Sequence, residues 1–374
     1  MYSIHDYGEM VSDQLRTEAY ARALERLVGP DSVVLDLGTG TGILSLLACR
    51  YGARRIFAVE PSDAIEVARE MARANGVESR IEFFHALSTE IDLPERADVV
   101  VCDLHGMLPL FQRSVPTIID ARQRHLKPAG VLIPAVESVS AAPVSAKEQY
   151  ASLTSARQRE EHDIDFSPAN RLVLSSFYRA RSTARDLVAP PAILGTLDYA
   201  RVNESSFVGS ASYVAERDAV AHGWVAWFDS KFAEGVEISN APGLPPLIFG
   251  QAFFPWPEPV ALRAGDRVSL RLRAFLVGDN YLWAWDSDVP GRAFRQSELD
   301  AEVLSAGALR RQAASFAPGL PVEGRIDRLV LHLMSAGNTL GEIATALARE
   351  FPEEFPRWEL ALTRATQVSN RYGP

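Results

Sequence analysis

A glycine-rich turn, Asp36-Leu37-Gly38-Thr39-Gly40-Thr41-Gly42, follows the apolar run Val33-Val34-Leu35, and a carboxylate, Glu60, closes the next apolar run at 55–60. Glycines at a strand-to-helix turn let the backbone approach a ligand with no Cβ in the way. An acid about 20 residues downstream can accept from both hydroxyls of a ribose, so the two features together point to an adenosine ligand. Nicotinamide dinucleotides and S-adenosylmethionine both use this arrangement. The dinucleotide fingerprint asks for a third glycine where Ile43 stands. Asp36 would also repel a pyrophosphate, whereas it suits water or the amino group of a methionine tail. These residues favour S-adenosylmethionine. The plainer reading, a tight turn with no ligand, leaves the placement of Glu60 unexplained.

The elements that must hold these residues can be read from periodicity. Apolar runs at 33–37, 55–60, 81–84, 98–102 and 131–133 alternate with helical patterns at 43–50, 63–75 and 111–125, and a helical run at 8–27 precedes them. Alternation of this kind predicts a parallel sheet with helices on both faces. After Pro134 a two-residue period takes over. Val268, Leu270 and Leu272 interleave with Ser269, Arg271 and Arg273, and Gly278-Asp279 turns the chain into 281–285, which predicts a hairpin with one buried face. Trp224, Trp227, Phe253, Phe254, Trp256, Trp283 and Trp285 fall at strand positions; they could line an acceptor groove, but core is the commoner place for such residues. From about 297 the helical period returns, and Thr339-Leu340-Gly341-Glu342 has capping-box spacing for a helix through Ala348. The expected fold class is α/β: a Rossmann-like domain over 1–134 with its N-terminal helix, an antiparallel, barrel-like β domain over 135–296, and a C-terminal helical segment over 297–374.

Composition narrows the functional classes. With 374 residues, 47% hydrophobic and 23% charged, the chain is long enough for two domains and an appendage. No apolar run reaches the roughly 20 residues of a membrane span, and the N-terminus lacks the basic and apolar regions of a signal peptide, so a cytoplasmic location is expected. Cys49 and Cys102 are too few for a disulfide framework or a thiolate metal site. The seven histidines form no metal-binding pair with a carboxylate, and His5 and His222 are weak candidates for chemistry. A net charge of −10 argues against nucleic acid as a partner.

The stretch 33–62, VVLDLGTGTGILSLLACRYGARRIFAVEPS, resembles the cofactor-binding motifs of the protein arginine methyltransferases, class I S-adenosylmethionine-dependent enzymes, and the resemblance extends over about 2–290 in the manner of a divergent bacterial-type member. It implies that Gly38, Thr39, Gly40, Gly42, Ile43, Glu60 and Pro61 surround the cofactor together with Asp36. Upstream, 10–17 (MVSDQLRT) is similar to the family's helix that closes over the cofactor. There the resemblance implies that Arg16 pairs with the methionine carboxylate and that Met10 packs near the sulfonium. Leu87 and Ser88 fall where the family contacts adenine, although the family's acid appears as Thr89.

In that family two glutamates after the fourth strand grip a guanidinium. Here Asp103 stands in the first position and Gln112 in the second, so a charge-assisted two-sided clamp becomes at best one-sided. The family's Thr-His-Trp loop falls near 247–251, where no histidine occurs. His105, in the altered hairpin, is then the candidate general base beside Asp103 as acceptor-orienting group, with a simple packing role as the alternative. The stretch from about 165 to 205 occupies the place of the family's dimerisation arm and implies a homodimer. The helix–turn–helix of 297–374 weakly resembles winged-helix modules that capture leader peptides. The leading expectation is methyl transfer to a nucleophilic nitrogen of a peptide, protein or natural-product acceptor. The alternatives are an O- or C-methyltransferase of a small molecule and an S-adenosylmethionine-binding protein without efficient turnover.

Overall fold

The computed structural model describes residues 4–154, 167–303 and 305–373. Its contacts divide the chain into two compact units, Met1–Val303 and Leu304–Pro374.

The first unit opens with two helices, α1 (Ile4–Ser12) and α2 (Gln14–Leu27), where periodicity predicts one run over 8–27. The break is at Asp13, whose extended backbone and side-chain bond from Arg16 N make it the cap of a new helix. The other Asp13 oxygen accepts from Ile248 N at 2.7 Å, which anchors the cap to the β domain. Then follow β1 (Val33–Leu37), α3 (Ile43–Arg50), β2 (Arg55–Val59), α4 (Ala64–Ala74), β3 (Ile81–Phe84), β4 (Ala97–Cys102), α5 (Ser114–Arg124) and β5 (Leu126–Ile133). The five strands form a wholly parallel sheet in the order β3-β2-β1-β4-β5. Every residue of β1 is buried, as expected for a strand covered on both faces. The order places β1 and β4 side by side, so the glycine turn and the segment after Cys102 leave the sheet at neighbouring points, where α/β sheets bind ligands.

The β domain contains β6 (Val136–Val144), α6 (Lys147–Thr154), α7 (Ser167–Leu174), β7 (Tyr178–Ala180), β8 (Ala192–Asp198), β9 (Phe207–Val214), β10 (Ala219–Ala233), β11 (Val236–Ser239), β12 (Gln251–Leu262), β13 (Arg267–Val277), β14 (Asn280–Val289) and β15 (Arg292–Ser297). Two antiparallel sheets result: β7-β12-β10-β6-β8 with β11 on β10, and β15-β14-β13-β9. Val277 pairs with Asn280 across Gly278-Asp279, the hairpin predicted from alternation. The aromatic residues at strand positions are core: Trp224, Trp256 and Trp285 are fully buried, and Phe254 packs edge-on against Trp285 with ring centroids 5.2 Å apart. The arm-like stretch includes α7, β7 and β8; its first two residues lie outside the described part of the chain.

The second unit carries α8 (Ala306–Gln312), α9 (Val322–Ser335), α10 (Leu340–Glu350) and α11 (Trp358–Tyr372). The capping box at Thr339 and Glu342 is formed, and Val330, Ala344, Leu347, Ala361 and Ala365 make a small core without exposed atoms.

Trp285 tests the β-domain core. Its indole donates to Gln296 Oε1 at 2.9 Å, so Trp285→Ala removes both apolar burial and a buried hydrogen bond. We expect a loss of about 3–5 kcal/mol in urea unfolding, and a smaller loss of about 1–2 kcal/mol for Trp285→Phe, which fills much of the space but leaves the Gln296 oxygen without its donor.

Candidate active site

A cavity of about 490 Å³ opens where β1, β2 and β4 end. The turn after β1 holds Gly38, Gly40 and Gly42 at φ of 74°, 54° and 92°, which side chains rarely adopt. A Cβ on Gly40 would lie 2.5 Å from the Tyr7 ring, so α1 sits directly on this turn. Glu60, buried at the end of β2, accepts from Gly40 N at 3.0 Å through one oxygen and from Ser62 N and Oγ at 3.0 and 2.6 Å through the other. Three donors on its two oxygens fix the Glu60 carboxylate and leave about one lone-pair position, preorganised for a hydroxyl of a ligand.

Of the residues singled out for the cofactor, Met10, Arg16, Gly38, Thr39, Gly40, Ile43, Glu60, Pro61, Leu87, Ser88 and Asp103 line this cavity. Gly42 and Asp36 do not. Gly42 lies at the start of α3, packed so closely on α4 that a Cβ would be 3.0 Å from that of Ala68. Asp36 lies behind the wall, fully buried, accepting from Thr39 Oγ1 and Ser45 Oγ at 2.6 Å each. Its remaining oxygen has no protein partner, and burial raises its pKa to about 6 in spite of those two hydroxyls. Asp36 therefore braces the turn through Thr39, and direct contact with a methionine amino group does not follow from its position.

The three acceptor-side residues, Asp103, His105 and Gln112, line the same cavity, on the segment between β4 and α5. Gln112 is the non-glycine residue with positive φ (46°) among the described residues, next to Phe111, whose ring covers Gly106 so tightly that a Cβ there would lie 2.8 Å away. The roles expected of Arg16, Asp103 and His105 require correction. Arg16, expected to await a carboxylate of the ligand, already spends Nε at 2.7 Å and Nη2 on Asp103 Oδ2, and Nη1 on Met10 O at 3.0 Å. Asp103 Oδ1 accepts from His105 Nδ1 at 2.8 Å, and the Tyr20 hydroxyl, whose one proton goes to Cys102 O at 2.8 Å, lies 3.2 Å from the same oxygen. The other ring nitrogen of His105 lies 2.5 Å from Glu137 Oε1.

His105 thus has a carboxylate on each nitrogen. Burial opposes its charge, but Glu137 and Asp103 outweigh that and raise its pKa to about 10, so at neutral pH it is an imidazolium with no lone pair for a proton. A carboxylate on each ring nitrogen argues against the role of general base expected of it. Asp103 is likewise held well below the usual carboxylate range: burial would raise it, and the Arg16 guanidinium and His105 overcome that penalty. The ring of His105 stacks on Phe228 at 5.2 Å and meets Phe249 edge-on at 5.5 Å. Phe249 belongs to the loop where the family's histidine is missing, and it lines the cavity.

Sequence reasoning did not single out Glu137, Tyr199 or Ser230. Glu137 has no exposed surface and accepts from Tyr199 Oη at 2.6 Å and from Ser230 Oγ. One signal was available: Glu137 is the only charged residue in the apolar stretch 133–144. Its partners lie 62 and 93 positions away, beyond any local pattern. His5 is exposed on α1 and His222 packs against Tyr150, both away from the cavity, and no group of metal-binding side chains occurs among the described residues.

The parallel sheet, the glycine turn after β1 and the acid closing β2 define the class I methyltransferase fold. In keeping with this, residues 16–160 match the family described as Ribosomal protein L11 methyltransferase (PrmA). Among curated proteins, the chain is 28% identical over 239 residues to the probable protein arginine N-methyltransferase 6 of Arabidopsis thaliana, covering 62% of this chain and 54% of that protein. It is 27% identical over 277 residues to protein arginine N-methyltransferase 1 of Saccharomyces cerevisiae, covering 71% of this chain and 79% of that one. Among solved structures, the PRMT1 enzyme-prozyme heterotetrameric complex of Trypanosoma brucei with AdoHcy is similar at 26% identity and a TM-score of 0.73, over 79% of this chain and 98% of that one. Over most of its first unit the chain is thus similar to protein arginine methyltransferases in sequence and in fold.

The buried charges give a pH test. A histidine whose folded pKa is raised from 6.5 to about 10 contributes stability that is fully present below 6.5 and is lost as pH climbs towards 10. Unfolding free energy should therefore fall between pH 7 and 10. Glu137→Gln should cost about 3–5 kcal/mol at pH 7, as for one partner of a buried ion pair, and should move the decline to lower pH. Urea unfolding across pH 6–10 measures both; an unaltered slope in the variant would show that His105 is not the titrating group.

Proposed function

We propose that this chain binds S-adenosylmethionine and transfers its methyl group to a nucleophilic nitrogen of a peptide or protein acceptor. The observation that carries this reading is that the Gly38–Gly40 turn with Glu60 and the hairpin segment with Asp103 and Gln112 open into one cavity. The cofactor supplies an electrophilic methyl group on a sulfonium. Glu60 would hold the ribose through a hydroxyl, the open backbone at Gly38 and Gly40 would admit the chain of the ligand, and Leu87 and Ser88 would flank the base. Met10 and Arg16, carried by α1 and α2, close the cavity from above and exclude water, and Ile43 and Pro61 complete its walls. Asp103 and Met10 O hold the Arg16 guanidinium in place, so it closes that end of the cavity as a positive group in a fixed position.

The relatives support the same reading of cofactor and reaction, and the Trypanosoma complex is an assembly that holds AdoHcy. We further propose three functional parts: cofactor binding in 1–134, acceptor binding and homodimerisation through 135–296, and capture of a peptide or second subunit by 297–374. Among the described residues no helix is long and apolar enough to cross a membrane, and we place the protein in the cytoplasm. A second reading, a cofactor-binding protein without turnover, draws on the engagement of Asp103 by Arg16 and His105.

Calorimetry with S-adenosylhomocysteine tests the cofactor assignment. Binding is expected. Glu60→Ala should weaken it by tenfold or more, the equivalent of about 1.5–3 kcal/mol for charge-assisted hydrogen bonds. Binding of a nicotinamide nucleotide in place of S-adenosylhomocysteine would overturn the reading.

A further inference from the structure

We infer that the methyl acceptor is a nitrogen that already carries a free lone pair at neutral pH, the imidazole ring of a peptide side chain, and that a guanidinium is not the acceptor. This rests on the methyl-transfer reading above and names its substrate class.

A guanidinium asks two things of a site: a carboxylate with vacant lone pairs to hold it, and a base to take the proton that blocks its nitrogen. Asp103 has no room for a two-pronged grip. A carboxylate has about four lone-pair positions, and here Arg16 Nε and Nη2 and His105 Nδ1 occupy three, while the Tyr20 hydroxyl, which donates to Cys102 O at 2.8 Å, stands 3.2 Å from the fourth. Gln112, in the place of the second clamp, is neutral. Only two other carboxylates line the cavity among the described residues. Glu60 is held by Gly40 and Ser62 on the cofactor side. Asp279 stands at the rim, 85% exposed, 3.7 Å from Arg113. His105 cannot act as a base because both ring nitrogens face carboxylates.

Charge points the same way. Arg16, Asp103, His105 and Glu137 sum to zero, so a cationic acceptor would face the sulfonium with nothing in the floor of the cavity to offset their repulsion. A neutral acceptor meets no such barrier. The question is then which neutral nitrogen exists in quantity. Guanidinium, with a pKa above about 12, has essentially no neutral form at pH 7, and a lysine amine near 10.4 has less than about one part in a thousand. An imidazole near 6.5 is mostly neutral, with one nitrogen protonated and the other carrying a lone pair.

The lining suits such a ring. Phe111 and Phe249 supply flat apolar walls, and the Gln112 carboxamide oxygen can accept from the protonated ring nitrogen, which turns the unprotonated one towards the methyl donor. In the transfer the nitrogen lone pair forms the N–CH3 bond as the S–CH3 bond breaks, its electron pair staying on sulfur. Positive charge passes from the sulfonium to an N-methylimidazolium, and no proton moves. The proton leaves to solvent after the product is released, so the cavity needs no base.

The test uses the full chain, methyl-labelled S-adenosylmethionine, and two pools of short peptides that differ only in a central histidine or arginine, with the label located by mass spectrometry. We expect the histidine pool to be labelled at least ten times faster at pH 7.5, on a ring nitrogen, with a rate that rises through the imidazole pKa and then levels. Gln112→Glu, which adds the second carboxylate, should narrow that ratio. Arginine labelling equal to or faster than histidine labelling, or no ring labelling by protein that binds S-adenosylhomocysteine, overturns the inference. Failure to bind S-adenosylhomocysteine overturns the methyl-transfer reading itself, and this inference with it.

Discussion

A chain of alternating charges, Arg16, Asp103, His105 and Glu137, is buried where the parallel sheet meets the β domain, and the geometry of the site depends on it. Ions removed from water cost several kcal/mol each, a cost offset only by close partners on every side. Here each ion has them: Arg16 is also held by Met10 O and Glu137 by Tyr199 and Ser230, and the Tyr20 hydroxyl lies beside Asp103. The chain joins α2, the segment after β4, and strands β6 and β10, four elements with no local reason to meet. Hydrophobic packing brings those elements together without specifying their register to a fraction of an ångström; the directional bonds do that.

This constraint sets what the cavity can do. With Arg16 fixed on Asp103, the helices that roof the cavity are tied to its acceptor wall, and the cofactor and acceptor ends cannot drift apart. The same bonds consume the one carboxylate placed to hold a cation. What remains open on the acceptor side of the cavity is its shape, the rings of Phe111 and Phe249 and the neutral amide of Gln112. Likeness to a family fixes the scaffold more firmly than the acceptor, because the scaffold follows from many apolar contacts and the acceptor from a few polar atoms.

The cofactor half of the site was legible in the residues. Asp36 to Gly42 and Glu60 follow one another on a β-α-β unit, so chain order and spatial order coincide and spacing reports geometry. Cavity-lining positions were identified this way from Gly38 to Pro61, with Gly42 and Asp36 displaced by one layer. The β-domain hairpin and the capping box at Thr339 were legible for a similar reason, since period and capping are local. The break between α1 and α2 was missed because Asp13 is capped locally but anchored by Ile248, far along the chain.

By itself the sequence determined the α/β class and the adenosine-binding turn, both of which depend on residues close in the chain. Only the tertiary structure decided the state of His105 and Asp103. An isolated imidazole titrates near neutrality and an isolated aspartate has open lone pairs, and the local contact between Asp103 and His105 engages only one side of each. Glu137, from another sheet, takes the second ring nitrogen and helps to hold the charge on His105, and Arg16, from the first helices, takes the other oxygen of Asp103, because the energy of a buried charge is set by what surrounds it in space.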